Sequence, residues 1–287
     1  MDRGPEPHRP VLIERWSAEG REASDDVVAA EEPLQVVLDS EPFAVVMRTP
    51  GHDLELVLGL LFVEGLIRIG EDVAEGAVAA SGLPEDAAPF PVRALPEAEN
   101  LVELRLVSPR SRADRVGWQR NLVASSACGI CGAAALDALR DDLPVLPPGP
   151  TFAPAAISAM APALRAAQAT FELTGGLHAA GLFDIYGRLL AVREDVGRHN
   201  AVDKLVGHAL LAGELPLRDR ALMVSGRASF ELAHKAVAAG IPLMAAVSAP
   251  SSLAIHVAHT FDLTLVGFLR GERFNVYSGG ERIVGAA

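Results

Sequence analysis

The sequence predicts an α/β protein, with a smaller α+β unit ahead of a larger α/β layer. Three observations carry that expectation. From Thr174 onward, short apolar runs alternate with helical periods in the order strand, helix, strand, helix, strand, as parallel crossovers require. Between residues 33 and 107, period-two alternation recurs around a single helical segment. Half of the 287 residues are apolar and 22% are charged, a balance that builds an ordinary core without disulfide staples.

Element by element, residues 1–32 are acidic and aperiodic and read as a loose arm, with at most a strand near Val11–Ile13. Leu34, Val36 and Leu38, then Phe43, Val45 and Met47, mark two strands. Pro50-Gly51 punctuates, and Asp53 is the expected N-cap of a helix from Leu54 to Glu64. Gly70 to Leu95 reads as loops with one short helix, and Leu101 to Val107 as a strand. The α+β unit thus covers 33–120. Residues 121–154 are expected to hold a mobile cysteine loop, a short helix and a linker with five prolines after Leu143. The α/β domain covers 155–287. It opens with a helix over about 155–171, followed by strands at 177–183 and 189–192 around the turn Asp184–Gly187. Helices at 200–211, after Ser229 and after Ser251 or Ser252 alternate with strands at 221–225, 242–247 and 263–269. A last strand falls at 274–277. In such layers ligands gather at the C-terminal ends of the strands.

Formal net charge is −12, unevenly placed: residues 1–100 hold 21 acidic and 7 basic side chains, the remainder 16 and 18. The second part accepts a compact anion, whereas no dense basic stripe exists to bind duplex nucleic acid. No apolar run is long enough to span a membrane, and the first residues lack a signal-peptide centre, so a cytoplasmic, non-membrane protein is expected. Lys204 and Lys235 are the only lysines among 25 basic residues, a hint that a compact ammonium is wanted there.

The only two cysteines, Cys128 and Cys131, stand in Cys-Gly-Ile-Cys-Gly. Glycine-flanked thiols before an apparent helix N-terminus favour a reactive thiolate, able to cycle through a disulfide or to carry sulfane sulfur. A buried structural pair is the plainer alternative. The run Arg193 to Asn200 offers guanidinium, imidazole and amide groups to an anionic ligand, and equally suits a salt-bridged turn. Ser225–Arg227 and Ser248–Ser252 place N–H groups at helix starts, though serine caps are ordinary. Leu269–Arg273 forms either a phosphate clamp or a solvated turn. No Walker or Rossmann glycine pattern occurs, and zinc-deaminase ligands are missing, so no metal site is expected.

Taken in order, SACGICG at Ser126–Gly132, TGGLH at Thr174–His178, REDVGRHNAVDK at Arg193–Lys204, SGRASFELAHK at Ser225–Lys235, AVSAPSSL at Ala246–Leu253 and GFLRGERFNVYS at Gly267–Ser278 resemble the formate dehydrogenase accessory sulfurtransferase family, FdhD. The resemblance runs from Pro33 to Gly279. It implies a cytidine-deaminase-like α/β layer and a homodimer. It also implies a function: sulfur is taken from a cysteine desulfurase as a persulfide and delivered to the bis-molybdopterin guanine dinucleotide cofactor of formate dehydrogenase. By motif match, Cys128 would carry the persulfide and Cys131 assist, while Phe268, Leu269, Arg270, Gly271, Glu272 and Arg273 would bind cofactor. Arg198, His199, Asn200, Lys204, Arg227 and Lys235 are added as cofactor contacts from their chemistry and position alone. Two other readings stand beside it: a non-covalent cofactor chaperone, and a dithiol–disulfide oxidoreductase, although the strand–Cys-x-x-Cys–helix setting of thioredoxins is missing.

Overall fold

The computed structural model describes residues 6–79, 82–83, 88–95, 98–108 and 143–284. Cys128 and Cys131, with the expected cysteine loop and its helix, lie outside the described residues.

In place of a loose arm, the described residues open with a hairpin of β1 (His8–Ser17) and β2 (Gly20–Ala29), paired from His8↔Ala29 to Ser17↔Gly20. Both faces meet solvent, and Leu12 and Trp16 are exposed, so no apolar alternation betrays it in the sequence. Its base is tied down where Ala30 N–H donates to the Pro7 carbonyl (2.9 Å) and Arg9 pairs with Glu32.

A five-stranded sheet follows, built from β3 (Glu32–Leu38), β4 (Glu41–Arg48), β5 (Val73–Ala79), β6 (Val92–Leu95) and β7 (Leu101–Leu106), in the order β4-β3-β7-β5-β6. β3 buries Leu34, Val36 and Leu38 by strict alternation. β5 and β6 correct the expectation of loops between 70 and 95. Gly76 and the alanines of β5 have weak strand propensity, and the strand persists because β7 and β6 pair with it on either side. Helix α1 (Asp53–Val63) is buried along its whole length; beyond Asp53 and Glu55 in its first turn every residue is apolar, so it has no polar face along its length. Asp53 is not its cap: its carboxylate accepts from Arg48 Nε (2.9 Å) and Nη2 (2.7 Å), and His52, with φ of 59°, occupies the cap position instead.

The larger unit opens with α2 (Pro154–Ala167) and α3 (Ala169–Thr174), which divide the single expected helix at Gln168. Then come β8 (His178–Phe183), β9 (Leu189–Asp195), α4 (Arg198–Leu211), β10 (Ala221–Val224), α5 (Phe230–Ala238), β11 (Leu243–Ala246), α6 (Ser252–Thr260), β12 (Thr264–Arg270) and β13 (Arg273–Ser278). The sheet order is β13-β12-β11-β10-β8-β9. β10, β11 and β12 are parallel, joined by α5 and α6, whereas β8, β9 and β13 join antiparallel. The result is a mixed α/β sheet.

One core cluster runs through both units, from Leu34 and Val102 to Leu222 and Leu265. At its centre α1 crosses α4. A Cβ placed on Gly59 would overlap the Asp203 carbonyl oxygen, and one on Gly207 the Glu55 carbonyl oxygen, so the two helices meet backbone to backbone.

Candidate functional site

The topology assembles a rim along one edge of the six-stranded sheet. β10, β11 and β12 all end there. β8 is antiparallel to β10, so it starts there at His178, and β9 ends beside it through the pair His178↔Asp195. The connecting loops are laced together beyond the strands. Phe268 N–H donates to Ser248 O (3.2 Å), Ser248 N–H to Gly226 O (3.3 Å) and Ser251 N–H to Ala228 O (3.0 Å). At about 4.8 Å per strand, the span from β12 to β9 is roughly 19 Å.

Three helices begin on this rim because each follows a strand that ends on it. The N-caps are Gly197 for α4, Ser229 for α5 and Ser251 for α6, the last accepting from Ala254 N–H (3.2 Å). The first turns of α4 and α6 contain no acidic residue, so their free N–H groups and dipoles favour an anion in front of them.

The loop between β9 and α4 is fixed from beneath. Asp195, fully buried, takes hydrogen bonds from Gly197 N–H (2.8 Å), Asn200 Nδ2 (2.9 Å) and Thr49 N–H (3.2 Å), and pairs with Lys204 Nζ at 2.7 Å. Lys204 also donates to the Thr49 carbonyl (2.9 Å) and approaches that of Glu194 (3.5 Å). All three ammonium protons are thereby directed into the protein, so Lys204 supports the rim rather than reaching a ligand on it. Lys235 is likewise committed, pairing with buried Asp203 at 2.5 Å. Asn200 turns its amide nitrogen to Met47 O (2.9 Å) and Asp195. These two lysines and Asn200, expected as cofactor contacts, hold the site's frame.

Arg198 and His199 remain on the rim. Arg198 Nε is enclosed without a hydrogen-bond partner. His199 Nε2 lies 3.5 Å from Ser229 Oγ and 3.7 Å from Glu231 Oε2, which joins the α4 and α5 starts. Burial, then the charges of Lys235 and Arg198, push the His199 imidazole down to about 4, so it is neutral at pH 7. His178 is lowered for the same kinds of reason, burial first and Arg198 second. Arg227 is exposed beside them.

At the other end of the rim, Phe268 adopts a left-handed backbone (φ 53°) and stands exposed, while Leu269 is buried. Gly267 fits tightly: a Cβ there would meet Pro250 and Tyr277 side-chain atoms at 3.0 Å and push them aside by a few tenths of an ångström. Arg270 and Arg273 are directly opposed across the turn Gly271-Glu272. Like charges so placed repel, and neither has an ion-pair or side-chain hydrogen-bond partner among the described residues. Chemically, the rim is a row of cationic and N–H donors with two neutral imidazoles and one presented aromatic ring. Among the described residues no group of His, Cys, Asp and Glu is arranged to hold a metal ion, and no helix is long and apolar enough to cross a membrane.

Three contributors were not singled out as site residues from the sequence: Thr49, Asp195 and His178. Asp195 and His178 fall inside conspicuous runs, so their neighbours signalled them. Thr49 carried no signal beyond its place before Pro50-Gly51.

Residues 29–284 match the FdhD/NarQ family. The chain is 48% identical over 266 residues to a protein of Streptomyces avermitilis named sulfur carrier protein FdhD, covering 90% of this chain and 89% of that one. Proteins of the same name from Nocardia farcinica and Mycobacterium tuberculosis are 45% and 44% identical, covering 94% and 90% of this chain and 93% and 92% of theirs. The crystal structure of a candidate formate dehydrogenase accessory protein from Desulfotalea psychrophila shares the fold, with a TM-score of 0.72 at 24% identity over 96% of this chain and 99% of that one. A family match over residues 29–284 and relatives above 40% identity lead to one conclusion: this chain belongs to the FdhD/NarQ family.

Proposed function

We propose that this protein is a sulfur carrier serving a formate dehydrogenase, loaded as a persulfide on Cys128. The observation that carries the reading is compositional and sits on top of the family membership: a sulfur carrier needs a thiol, and Cys128 and Cys131 are the only two in the chain. In the loading step the Cys128 thiolate attacks the outer sulfur of a cysteine desulfurase persulfide. A sulfur–sulfur bond forms to Cys128, the donor's own sulfur–sulfur bond breaks, and the desulfurase thiolate leaves. Cys131 assists release. The recipient is the bis-molybdopterin guanine dinucleotide molybdenum cofactor, here a substrate, before its insertion into formate dehydrogenase.

The rim supports that choice of substrate. A long anion with phosphates and a flat base suits the N-termini of α4 and α6, Arg198, Arg227, Arg270 and Arg273, and the exposed Phe268 ring. Gly271 and Glu272 shape the turn between the last two arginines. The same reading takes the larger sheet as a cytidine-deaminase-like layer used as a scaffold in a homodimer; the parallel β10-β11-β12 run beside antiparallel β8 and β9 supports it.

The test is intact-mass spectrometry after incubation with a cysteine desulfurase and cysteine. The mass should rise by one sulfur, the gain should vanish on reduction, and Cys128→Ala should block it. Absence of the gain, with GDP still bound, would leave a cofactor-holding chaperone; reduction of model disulfides without sulfur uptake would leave an oxidoreductase.

A further inference from the structure

Thr49 belongs to the smaller unit, in the turn between β4 and α1, and is 2% exposed. Each of its polar atoms nevertheless reaches the larger unit. Its N–H donates to Asp195 Oδ2 (3.2 Å), its carbonyl accepts from Lys204 Nζ (2.9 Å), and its Oγ1 accepts from Val196 N–H (3.1 Å). Two residues earlier, the Met47 carbonyl accepts from Asn200 Nδ2 (2.9 Å). The segment 195–200 is therefore bracketed at both ends by the end of β4 and the turn that follows it.

From this geometry we infer that Thr49 is a positioning residue for the ligand-binding segment Val196–Asn200, the short loop and first turn of α4, acting from the opposite unit through Asp195 and Lys204. The inference rests on the proposed role of Arg198 and His199 at the rim. First, Asp195 and Lys204 are 0% and 1% exposed, and a buried ion pair is poor mortar: apolar residues of like size often hold a core as well. What a fully satisfied buried network supplies is one defined arrangement. Second, three of the groups that Thr49 and Asp195 hold, Val196 N–H, Gly197 N–H and the Asn200 amide, belong to the loop and first helical turn that present Arg198 and His199. Val196 N–H lies two residues before Arg198, and its acceptor among the described residues is the Thr49 hydroxyl. Remove that acceptor and the loop must shift to hydrate the N–H, carrying His199 out of its 3.5 Å approach to Ser229. A shift of that size is enough to spoil ligand geometry.

The experiment uses the full-length chain and GDP as the probe for the guanine diphosphate portion of the cofactor. Calorimetric affinity, thermal midpoint and the NMR titration of His199 are compared for wild type, Thr49→Val, Thr49→Ser and Arg198→Ala. Thr49→Val keeps the shape and loses the acceptor; it should weaken GDP binding roughly tenfold. It should also move the His199 titration from about 4 toward its ordinary 6.5, with Thr49→Ser restoring both. If Thr49→Val lowers only the thermal midpoint while Arg198→Ala weakens GDP binding, Thr49 is packing alone and the rim reading stands. If Arg198→Ala binds GDP like wild type, the rim reading falls and takes the inference with it. Should Thr49→Val not fold, amide exchange of Val196 in the wild type decides. Protection close to that of the core strands supports the locked loop, and rapid exchange overturns it.

Discussion

The two arginine-bearing ends of the rim look alike in the sequence and differ in the structure. At Val196–Asn200 the loop is wired from below, with Asp195, Asn200, Lys204 and Thr49 consuming one another's donors and acceptors. At Gly271-Glu272, Arg270 and Arg273 face each other on an exposed turn with no such support. The first end is a built frame carrying a few outward groups; the second is bare charge on a hairpin. Charge density along a chain therefore says little about which cations are free for a ligand. Burial and topology decide it, and they commit both lysines internally.

The largest expected effect breaks the built end. Asp195→Ala leaves Lys204 buried without its counter-charge, and urea unfolding should show a loss of about 3–5 kcal/mol; a loss below about 1 kcal/mol would mean the pair does not lock the loop. Next is Gly207→Ala, further along the helix that carries the loop. The added methyl collides with backbone, and about 3 kcal/mol should be lost in the same assay.

Acidification sharpens the contrast further. His199 and His234, both lowered to about 4, are neutral in the folded state while their unfolded forms titrate near 6.5. Between those values the unfolded chain binds more protons, so stability should fall steadily as pH drops from 6.5 to about 4. The urea midpoint measures this, and His199→Gln should flatten part of the slope. Below about 4.5 Glu55 adds to the loss. Burial pushes its carboxyl up, but hydrogen bonds from Arg193, His208 and His52 outweigh that and hold it well below the ordinary range. At the bare end, Arg270→Ala and Arg273→Ala should change stability by less than about 0.5 kcal/mol, while each weakens GDP binding.

Much of the larger unit was legible. Buried strands such as Leu243–Ala246 are continuous apolar runs, and Ser229 and Ser251 announced the helices that follow them. The β1–β2 hairpin was not, because two solvated faces leave no period to read; nor were β5 and β6, whose glycine and alanines become strand only by pairing. At the site, the runs were visible but the roles inside them were not. Lys204 and Lys235 stood out for being lysines, and it took their carboxylate partners, Asp195 and Asp203, to show which way they point. Thr49 acts only through contacts 146 to 155 residues away, beyond any local pattern.

The glycine crossing of α1 and α4 has a consequence for anyone wishing to dissect the chain. α1 is enclosed on every side, and part of that enclosure is the α4 backbone itself. Expressed by itself, the first hundred residues would present to water the apolar side of α1 that α4 covers, and the remainder would carry a matching trench. Truncation mapping is thus the wrong tool for this molecule; point substitutions in the intact polypeptide are the way to assign labour between its halves.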